Sequence, residues 1–464
     1  MNKRWTLVVA ALAAFMTALD TLVVTTALPV LRVDLGASLS DLEWTVNAYN
    51  LAFACLLLTG AALGDRFGRR RMLVLGLLAF TGASAAAALA PDAGMLVVAR
   101  AIQGAGAAIV TPLTLTLISD AFPAEKRGAA IGLWGGIVGL AVAAGPVVGG
   151  AVVGGIDWHW IFWLNVPVGL ALIPLALAKV PESFGSRARL DPIGLVLAAA
   201  GALGLTWGLI RSGAAGWTSA EVLGSLTAGA ALVGAFIGWE RRAPAPMLPL
   251  SLFRRPGFAA ANAVSFFMYA GLFGSLFLMA QFLQTALGHS PLGTGLRLLP
   301  WTAAPMIVAP IAGALADRFG NRPFMVVGLV LQAIGYGWIA TIASPDMGYA
   351  ELAVAFTISG IGTSLCFPTV ANCVMGAVPP QEAGVASGTN SAMRELGGVF
   401  GVAVLAAVFS RHGVYASPAA FADGFAQALW VAAGLSAIGI VAALLTPGRA
   451  RVRADRAEPA LAGA

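Results

Sequence analysis

Fourteen long apolar stretches dominate this chain and limit what it can fold into. Each is about 18 residues or longer, the length at which a helix crosses a membrane while satisfying its own backbone groups. Only 10% of the residues are charged and 59% are hydrophobic, whereas soluble domains are about one quarter charged. The short alternating segments of a membrane β-barrel do not occur in the sequence. The sequence therefore predicts an all-α membrane protein, with spans at 6–31, 44–63, 72–90, 94–119, 128–153, 160–179, 192–211, 221–239, 257–284, 294–316, 324–343, 350–374, 385–409 and 421–446.

Positive charges are distributed unequally between the two sides of the predicted membrane. With fourteen spans both termini lie on one side, and most of the 27 lysines and arginines fall in those termini and in the loops of that side. The exceptions are Arg32, Arg211 and Arg411 in the opposite loops, and Arg100, Arg297 and Arg394 within spans. This asymmetry follows the positive-inside rule, so both termini are predicted to be cytoplasmic. The net charge of +6 reflects topology, and no nucleic-acid partner is predicted.

The two ends of the chain are interpreted separately from the spans between them. The first apolar stretch follows Lys3 and Arg4, as in a signal peptide, but it is too long and contains Asp20, so we predict a retained span. The tail at 447–464 is polar and is predicted to be disordered. Arginine far outnumbers lysine, which is typical of a GC-rich bacterial genome. The predicted location is a bacterial plasma membrane.

Two short stretches of the sequence resemble each other. "GAALGDRFGRRR" at 60–71 follows the second span, and "GALADRFGNRP" at 313–323 follows the tenth. Eight spans separate them, which predicts two six-helix bundles at 1–180 and 257–446, with linkers and two inserted helices at 181–256. Parallel repeats of this kind place a substrate site between the halves, near the middle of the bilayer.

Several motifs, in this order, resemble those of the major facilitator superfamily and, within it, the fourteen-helix drug:proton antiporters. They are "LDTLVVTTALP", "WTVNAYNLA", "GDRFGRRR", "RAIQGAGAA", "GPVVGG", "WHWIFWLNVPVG", "PMLPLSLF" and "SPLGTGLRLLP". The resemblance implies a major facilitator fold and proton-coupled efflux of hydrophobic drugs or natural products by alternating access. Thr25 and His159 depart from it, standing where Asn and Arg are commoner.

Asp20 is an acid within an otherwise apolar span, about 16 Å from its outer end at 1.5 Å per residue. Ionisable groups inside a membrane are expensive and mark proton or substrate pathways. Asp20 is therefore the first candidate for proton coupling, the alternative being a structural carboxylate bonded by threonines or an arginine. Glu395, the second carboxylate deep in a span, is the other candidate. Arg100 lies at a depth from which it reaches Asp20, either as a salt bridge or as a cation that adjusts proton transfer, the role that the family resemblance favours.

The glycines and charges near two helix ends are predicted to control conformational change. Gly64 belongs to a GxxxG pair that brings helices together, and Asp65 can meet an arginine or a helix N-terminus as a latch. The alternative is that the arginines only determine topology. In the resembled family, "GPVVGG" marks exporters. The predicted gating residues are Gly64, Asp65, Arg66, Gly68, Arg69, Asp317, Arg318, Gly145 and Pro146.

Polar or aromatic groups within spans are candidates for lining a substrate cavity. For the amides among them, an interhelical hydrogen bond is an equal alternative, and Trp44 and Trp301 are expected to anchor helices at the membrane interface. The candidates are Asn47, Asn50, Gln103, Trp134, Gln281, Gln284, Gln332 and Asn390.

No catalytic constellation occurs in the sequence. Phosphate-binding GK loops, HExxH and GxSxG motifs and CxxC spacing are missing. We therefore predict that the protein has no enzyme activity and binds no metal or cofactor. An ion gradient is the predicted energy source, and the predicted substrate is a small hydrophobic or amphipathic molecule. The protein is not expected to require an oligomer. The alternatives are a dedicated exporter of one metabolite, lipid or self-made antibiotic and, from a different class, a non-transporting membrane sensor.

Overall fold

The computed structural model describes residues 3–185, 190–379 and 382–447. It contains fourteen helices long and apolar enough to cross a membrane, which confirms the predicted fold class. We number them α1 to α14: Lys3–Asp34, Leu39–Phe67, Arg69–Ala88, Ala93–Ala121, Ala130–Gly155, Trp160–Lys179, Pro192–Ala215, Ala220–Glu240, Pro256–Ala286, Pro291–Ala316, Asn321–Ile342, Tyr349–Gly376, Ala383–His412 and Pro418–Leu444. The tail predicted at 447–464 lies, apart from Pro447, outside the described residues.

Local sequence signals fix where several of these helices begin and bend. Ser38 and Asp41 form a reciprocal capping box at the start of α2, and Asp92 caps α4 by accepting the Met95 N–H. These side chains satisfy backbone N–H groups that have no partner inside the helix. The helix α10 is interrupted at Ala303, two residues before Pro305, because Pro305 has no N–H to continue the helical hydrogen bonds and disfavours helical geometry just before it.

The helices form two bundles with an inserted pair beside them. In the first bundle, α2 packs on α4 and α1 on α5; in the second, α9 packs on α13 and α11 on α12. The inserted helices α7 and α8 pack on each other, and α7 touches both α2 and α13, one helix from each bundle. We call the side where α1 begins and α14 ends the terminal face, and the opposite side the far face.

The hydrophobic core differs between the two faces. Toward the far face one cluster joins both bundles, including Leu28 and Trp158 of the first and Phe282 and Phe425 of the second. Toward the terminal face the first bundle has a cluster of buried apolar residues around Leu73, and the second bundle has a separate cluster of its own. The apolar cores of the two bundles therefore merge at the far face and are separate nearer the terminal face, where α2 and α13 still touch at Leu58 and Gly388.

The repeated loops noted in the sequence adopt the same backbone geometry. Gly68 (φ 106°) and Gly320 (φ 90°) follow α2 and α10, and each N–H bonds the carbonyl four residues earlier, at 3.0 and 2.7 Å. Positive φ is readily available only to glycine. The two DRFG motifs therefore end in equivalent turns.

We expect Gly68→Ala to lower the stability of the protein by roughly 1–2 kcal/mol, because alanine is strained at positive φ. An added Cβ would also lie 2.8 Å from Glu182 Oε1. Thermal unfolding in detergent measures the effect. Gly82→Ala is the matched control, since Gly82 lies inside α3 with open space around the added Cβ. Equal melting temperatures for the two variants would contradict the prediction.

Candidate transport site

Asp20 lies in a closed polar network between α1, α4 and α6. Its carboxylate forms a salt bridge with Arg100, and the two residues are 2% and 1% exposed. Asn165 Nδ2 donates to Asp20 Oδ1 at 2.7 Å, and Gln103 Nε2 lies 3.3 Å from the same oxygen. The structure thus brings Asp20, Arg100 and Gln103 together, and it adds Asn165, which the sequence reasoning missed.

Arg100 is held from several directions. Its Nε donates to the Thr45 carbonyl at 3.2 Å and its Nη1 to Gln103 Oε1 at 3.1 Å. The guanidinium carbon lies 4.3 Å from the centre of the Tyr49 ring, within the range of a cation–π contact. A buried ion pair needs such additional partners to offset desolvation. In this conformation the pair is satisfied by protein groups alone.

A cavity of about 260 Å³ lies between the two bundles, on the terminal side of the far-face core. Its walls come from α1, α2, α4 and α5 of one bundle and α9, α10, α12 and α13 of the other. Aromatic pairs face it from each side: Tyr49 stacks on Phe53 in α2 at 6.3 Å, and Tyr269 stacks on Phe273 in α9 at 5.6 Å. Such walls suit hydrophobic and aromatic ligands.

Tyr49 separates the cavity from the buried ion pair. One side of the residue lines the cavity, while its ring contacts Arg100. The Tyr49 hydroxyl donates to the Thr17 carbonyl at 3.3 Å, which ties α2 to α1 at this level. Tyr49 is therefore in contact with both the cavity and the Asp20 network.

Glu395 and Arg394 bring charge to the cavity wall. Arg394 donates to Ser391 Oγ at 3.2 Å and lies 5.4 Å from the centre of the Tyr269 ring. Among the described residues, none donates a hydrogen bond to the Glu395 carboxylate and none forms a salt bridge with it. Glu395 is half-buried, so its carboxylate is available to a ligand or a proton.

Of the other predicted cavity residues, only Trp134 lines this cavity. Asn47 and Asn50 are fully buried, and neither amide has a hydrogen-bond partner among the described residues. The remaining amides bond within or between helices instead: Gln103 to Ser84, Gln281 to Phe277 and Tyr415, Gln284 to Thr26, Gln332 to Met268 and Tyr336, and Asn390 to Asn262 and Ser265.

The sequence reasoning missed several residues that do line the cavity. Tyr269 of α9 and Ser391 of α13 face it, and the few polar residues of α9 do not mark which side of that helix faces the cavity. Trp301, expected at the membrane interface, also lines the cavity and stacks on Phe356 at 5.9 Å. Trp44 packs on Trp207 of α7 at 5.7 Å.

Close contacts between α5 and α10 hold the bundles together toward the far face. Gly295 of α10 lies against the Pro146 carbonyl, and Gly150 of α5 lies against the Pro291 carbonyl. Any side chain at either glycine would collide with that backbone. Gly145, the first residue of the "GPVVGG" motif, packs on Leu22 of α1. Of the two predicted gating residues in this motif, Pro146 therefore lies at the contact between the bundles, and Gly145 lies inside the first bundle.

The polar network at the terminal end of α2 stays within the first bundle. Arg69 bridges Asp65 at 2.7 Å and also binds Asp120 at the end of α4. The Arg69 N–H donates to the Ser183 carbonyl at 2.9 Å, so the segment after α6 joins this network.

The remaining predicted gating residues have simpler surroundings. Gly64 packs on Leu113 of α4, and Arg66 lies 5.4 Å from the centre of the Phe67 ring. Arg318 lies 5.5 Å from the centre of the Phe319 ring in the equivalent turn. The side chain of Asp317 lies outside the described residues, so its gating role stays a prediction.

Several known proteins with similar sequences are named for resistance to drugs or antibiotics. The chain matches the family model described as Major Facilitator Superfamily over residues 10–402, with a second match over 261–462. It is 35% identical over 414 residues to a tetracenomycin C resistance and export protein of Streptomyces glaucescens, covering 89% of this chain and 77% of that protein. It is 37% identical over 407 residues to the multidrug resistance protein Stp of Mycobacterium tuberculosis (87% and 75%). The methylenomycin A resistance protein of Bacillus subtilis is 34% identical over 420 residues (90% and 90%).

Solved structures with the same fold are more distant in sequence. A crystal structure of the peptide transporter POT in complex with sulfate superposes with a TM-score of 0.69 at 16% identity, covering 96% of both chains. A bacterial homologue of the human lysosomal transporter Spinster, in an inward-facing and occupied conformation, gives a TM-score of 0.67 at 16% identity, covering 96% and 97%. These similarities concern the fold alone.

Proposed function

Because the chain belongs to the major facilitator superfamily, in its drug-efflux family, we propose that it exports hydrophobic drugs or natural products in exchange for protons. The observation that carries this proposal is the cavity between the bundles, which combines aromatic walls with the carboxylate of Glu395. Aromatic rings accept varied apolar ligands, and a cavity carboxylate attracts cationic ones.

Alternating access supplies the transport cycle in this proposal. The arginine-rich terminal face is the cytoplasmic face by the positive-inside rule. The described conformation is closed at the far face, where Gly295 and Pro146 meet, and it would receive substrate from the cytoplasm. Rocking of the bundles about the cavity would close the terminal side and open the far side.

Proton coupling in this cycle is assigned to Asp20, with Arg100 as its partner and Glu395 as the second acid. In the described state Arg100 neutralises Asp20. A proton arriving from the far side would displace that arginine, since a protonated carboxyl no longer needs a cation. Release of the proton on the other side would restore the pair and reset the cycle.

Transport into inside-out vesicles tests the coupling. We expect a substrate to accumulate when the vesicle interior is made acid, because protons leaving the vesicle drive the substrate in. An uncoupler that dissipates the gradient should abolish this accumulation. Vesicles that lack the protein are the control. Accumulation that persists after the uncoupler would refute proton coupling.

A dedicated exporter of one compound is the second candidate. The relatives from Streptomyces glaucescens and Bacillus subtilis each carry the name of one antibiotic, which supports a narrow range, whereas Stp is named for multidrug resistance. Efflux assays with a panel of unrelated hydrophobic compounds separate the two. Transport of a single chemical class would favour the dedicated exporter.

A further inference from the structure

A second, larger space lies outside the transport cavity, between the inserted helices and the second bundle. This groove has a volume of about 1220 Å³. Its walls come from α7, α8, α13, the linker between α8 and α9, and Phe266 of α9. It exceeds the roughly 300–1,000 Å³ typical of pockets for single small molecules.

The path of α7 explains why the groove exists. Toward the far face α7 lies close to α13, where a side chain at Gly213 would touch Ser410. Trp207 of the same helix packs on Trp44 of α2. Toward the terminal face the walls separate, and linker residues such as Leu248 and Phe253 line that end of the groove. The groove is therefore a wedge that widens toward the terminal face.

The groove is distinct from the transport cavity because α13 separates them. Ser391, Arg394 and Glu395 face the cavity, whereas Leu396 and Phe400 of the same helix line the groove. An occupant of the groove therefore does not take the place of a transported substrate.

Charge is concentrated at the terminal end of the groove. Arg241 and Arg254 both line it and are exposed. No described residue forms a salt bridge or a hydrogen bond with either guanidinium, whereas the neighbouring Arg255 is paired with Glu382 at 2.8 Å. The one carboxylate of the groove, Glu240, is 4% exposed and accepts the Leu248 N–H at 3.0 Å. The positive groups are therefore the ones that face the water.

We propose that this groove binds an anionic diacyl phospholipid, with its phosphate on Arg241 and Arg254 and its acyl chains along the apolar walls. Arginine matches the oxygens of a phosphate with paired donors. Basic pockets between membrane helices select anionic headgroups in this way. The apolar walls run from the headgroup level into the membrane, as the chains of a phospholipid do. The lipid would fill the wedge and hold the inserted pair against the second bundle.

Native mass spectrometry of the purified full-length protein tests this proposal, with phosphatidylglycerol and phosphatidylcholine as the added probes. The wild type is expected to retain phosphatidylglycerol over phosphatidylcholine on the order of tenfold. The double variant Arg241→Gln/Arg254→Gln should lose that preference. Arg242→Gln is the matched control, since Arg242 is the adjacent exposed arginine and does not line the groove.

A groove-filling variant tests the placement of the acyl chains independently of charge. Ala202→Trp occupies the apolar wall and should reduce retention of both lipids. Each variant is first shown to melt as the wild type does; if the double variant does not, the single Arg254→Gln is measured in its place. Equal retention of the two lipids by the wild type would overturn the proposal. So would an undiminished preference in the arginine variant, or unchanged retention of both lipids in Ala202→Trp.

Discussion

Asp20→Asn is expected to abolish accumulation of substrate against its gradient while leaving downhill exchange of substrate in place. The asparagine keeps a hydrogen-bonding side chain for Asn165 but can no longer take up or release a proton. Proton-driven uptake into inside-out vesicles measures accumulation against the gradient. Counterflow, in which labelled substrate exchanges for unlabelled substrate across the vesicle membrane, measures the downhill exchange. Uphill uptake that survives in this variant would remove Asp20 from the coupling mechanism.

If Asp20 is only a structural partner of Arg100, its variants should behave differently from those of a proton-coupling acid. Removing one partner of a buried ion pair leaves a charge without a partner and costs about 3–5 kcal/mol, so Asp20→Asn alone should melt at a lower temperature. Asp20→Asn/Arg100→Gln removes both charges and should recover most of that stability. If Asp20 acts in coupling, the double variant still lacks uphill transport. Recovery of transport together with stability would show that the acid is only structural.

The depth of a residue along its membrane-spanning helix was predictable from the sequence. A helix rises 1.5 Å per residue across a slab of fixed thickness, so the positions of Asp20 and Arg100 along their spans could be compared before any packing was known. The structure joins these two residues in a salt bridge. Asn165 could not be found in the same way. Asn165 follows the interruption of α6 after Trp163. Because of this interruption, counting residues along the span gives neither the depth of Asn165 nor the direction of its side chain.

The rotation of each helix about its own axis was not predictable. Spans that are apolar all round carry no amphipathic signal that distinguishes an inward face from a lipid-facing one. On polarity alone Asn47 and Asn50 were candidates for the cavity or for an interhelical hydrogen bond, and in the structure both are buried with no hydrogen-bond partner among the described residues. Tyr269 faces the cavity from α9, a helix in which most residues are buried. Tertiary packing decides these orientations.

Glu395→Gln is expected to reduce the binding of lipophilic cations at least tenfold and that of neutral hydrophobic compounds much less. The Glu395 carboxylate lines the cavity, and the described residues supply it with no hydrogen-bond donor, so a cationic ligand would be its charge partner. A charge-assisted contact contributes about 1.5–3 kcal/mol, and about 1.4 kcal/mol corresponds to a tenfold change in affinity. Equilibrium binding of tetraphenylphosphonium to purified protein, compared with a neutral dye of similar size, measures the difference.

Arg394→Gln provides the matched control, because Arg394 is the adjacent residue in the same cavity wall and carries the opposite charge. Loss of this cation should strengthen tetraphenylphosphonium binding, since the repulsion between like charges is removed. Glu395→Asp should retain part of the affinity, because the charge persists on a shorter side chain. Equal losses for the cation and the neutral dye in Glu395→Gln would contradict a charge contact with substrate. The effect of Glu395 would then lie in the shape of the cavity or in proton transfer, and the pH dependence of uptake by the same variant would separate those two roles.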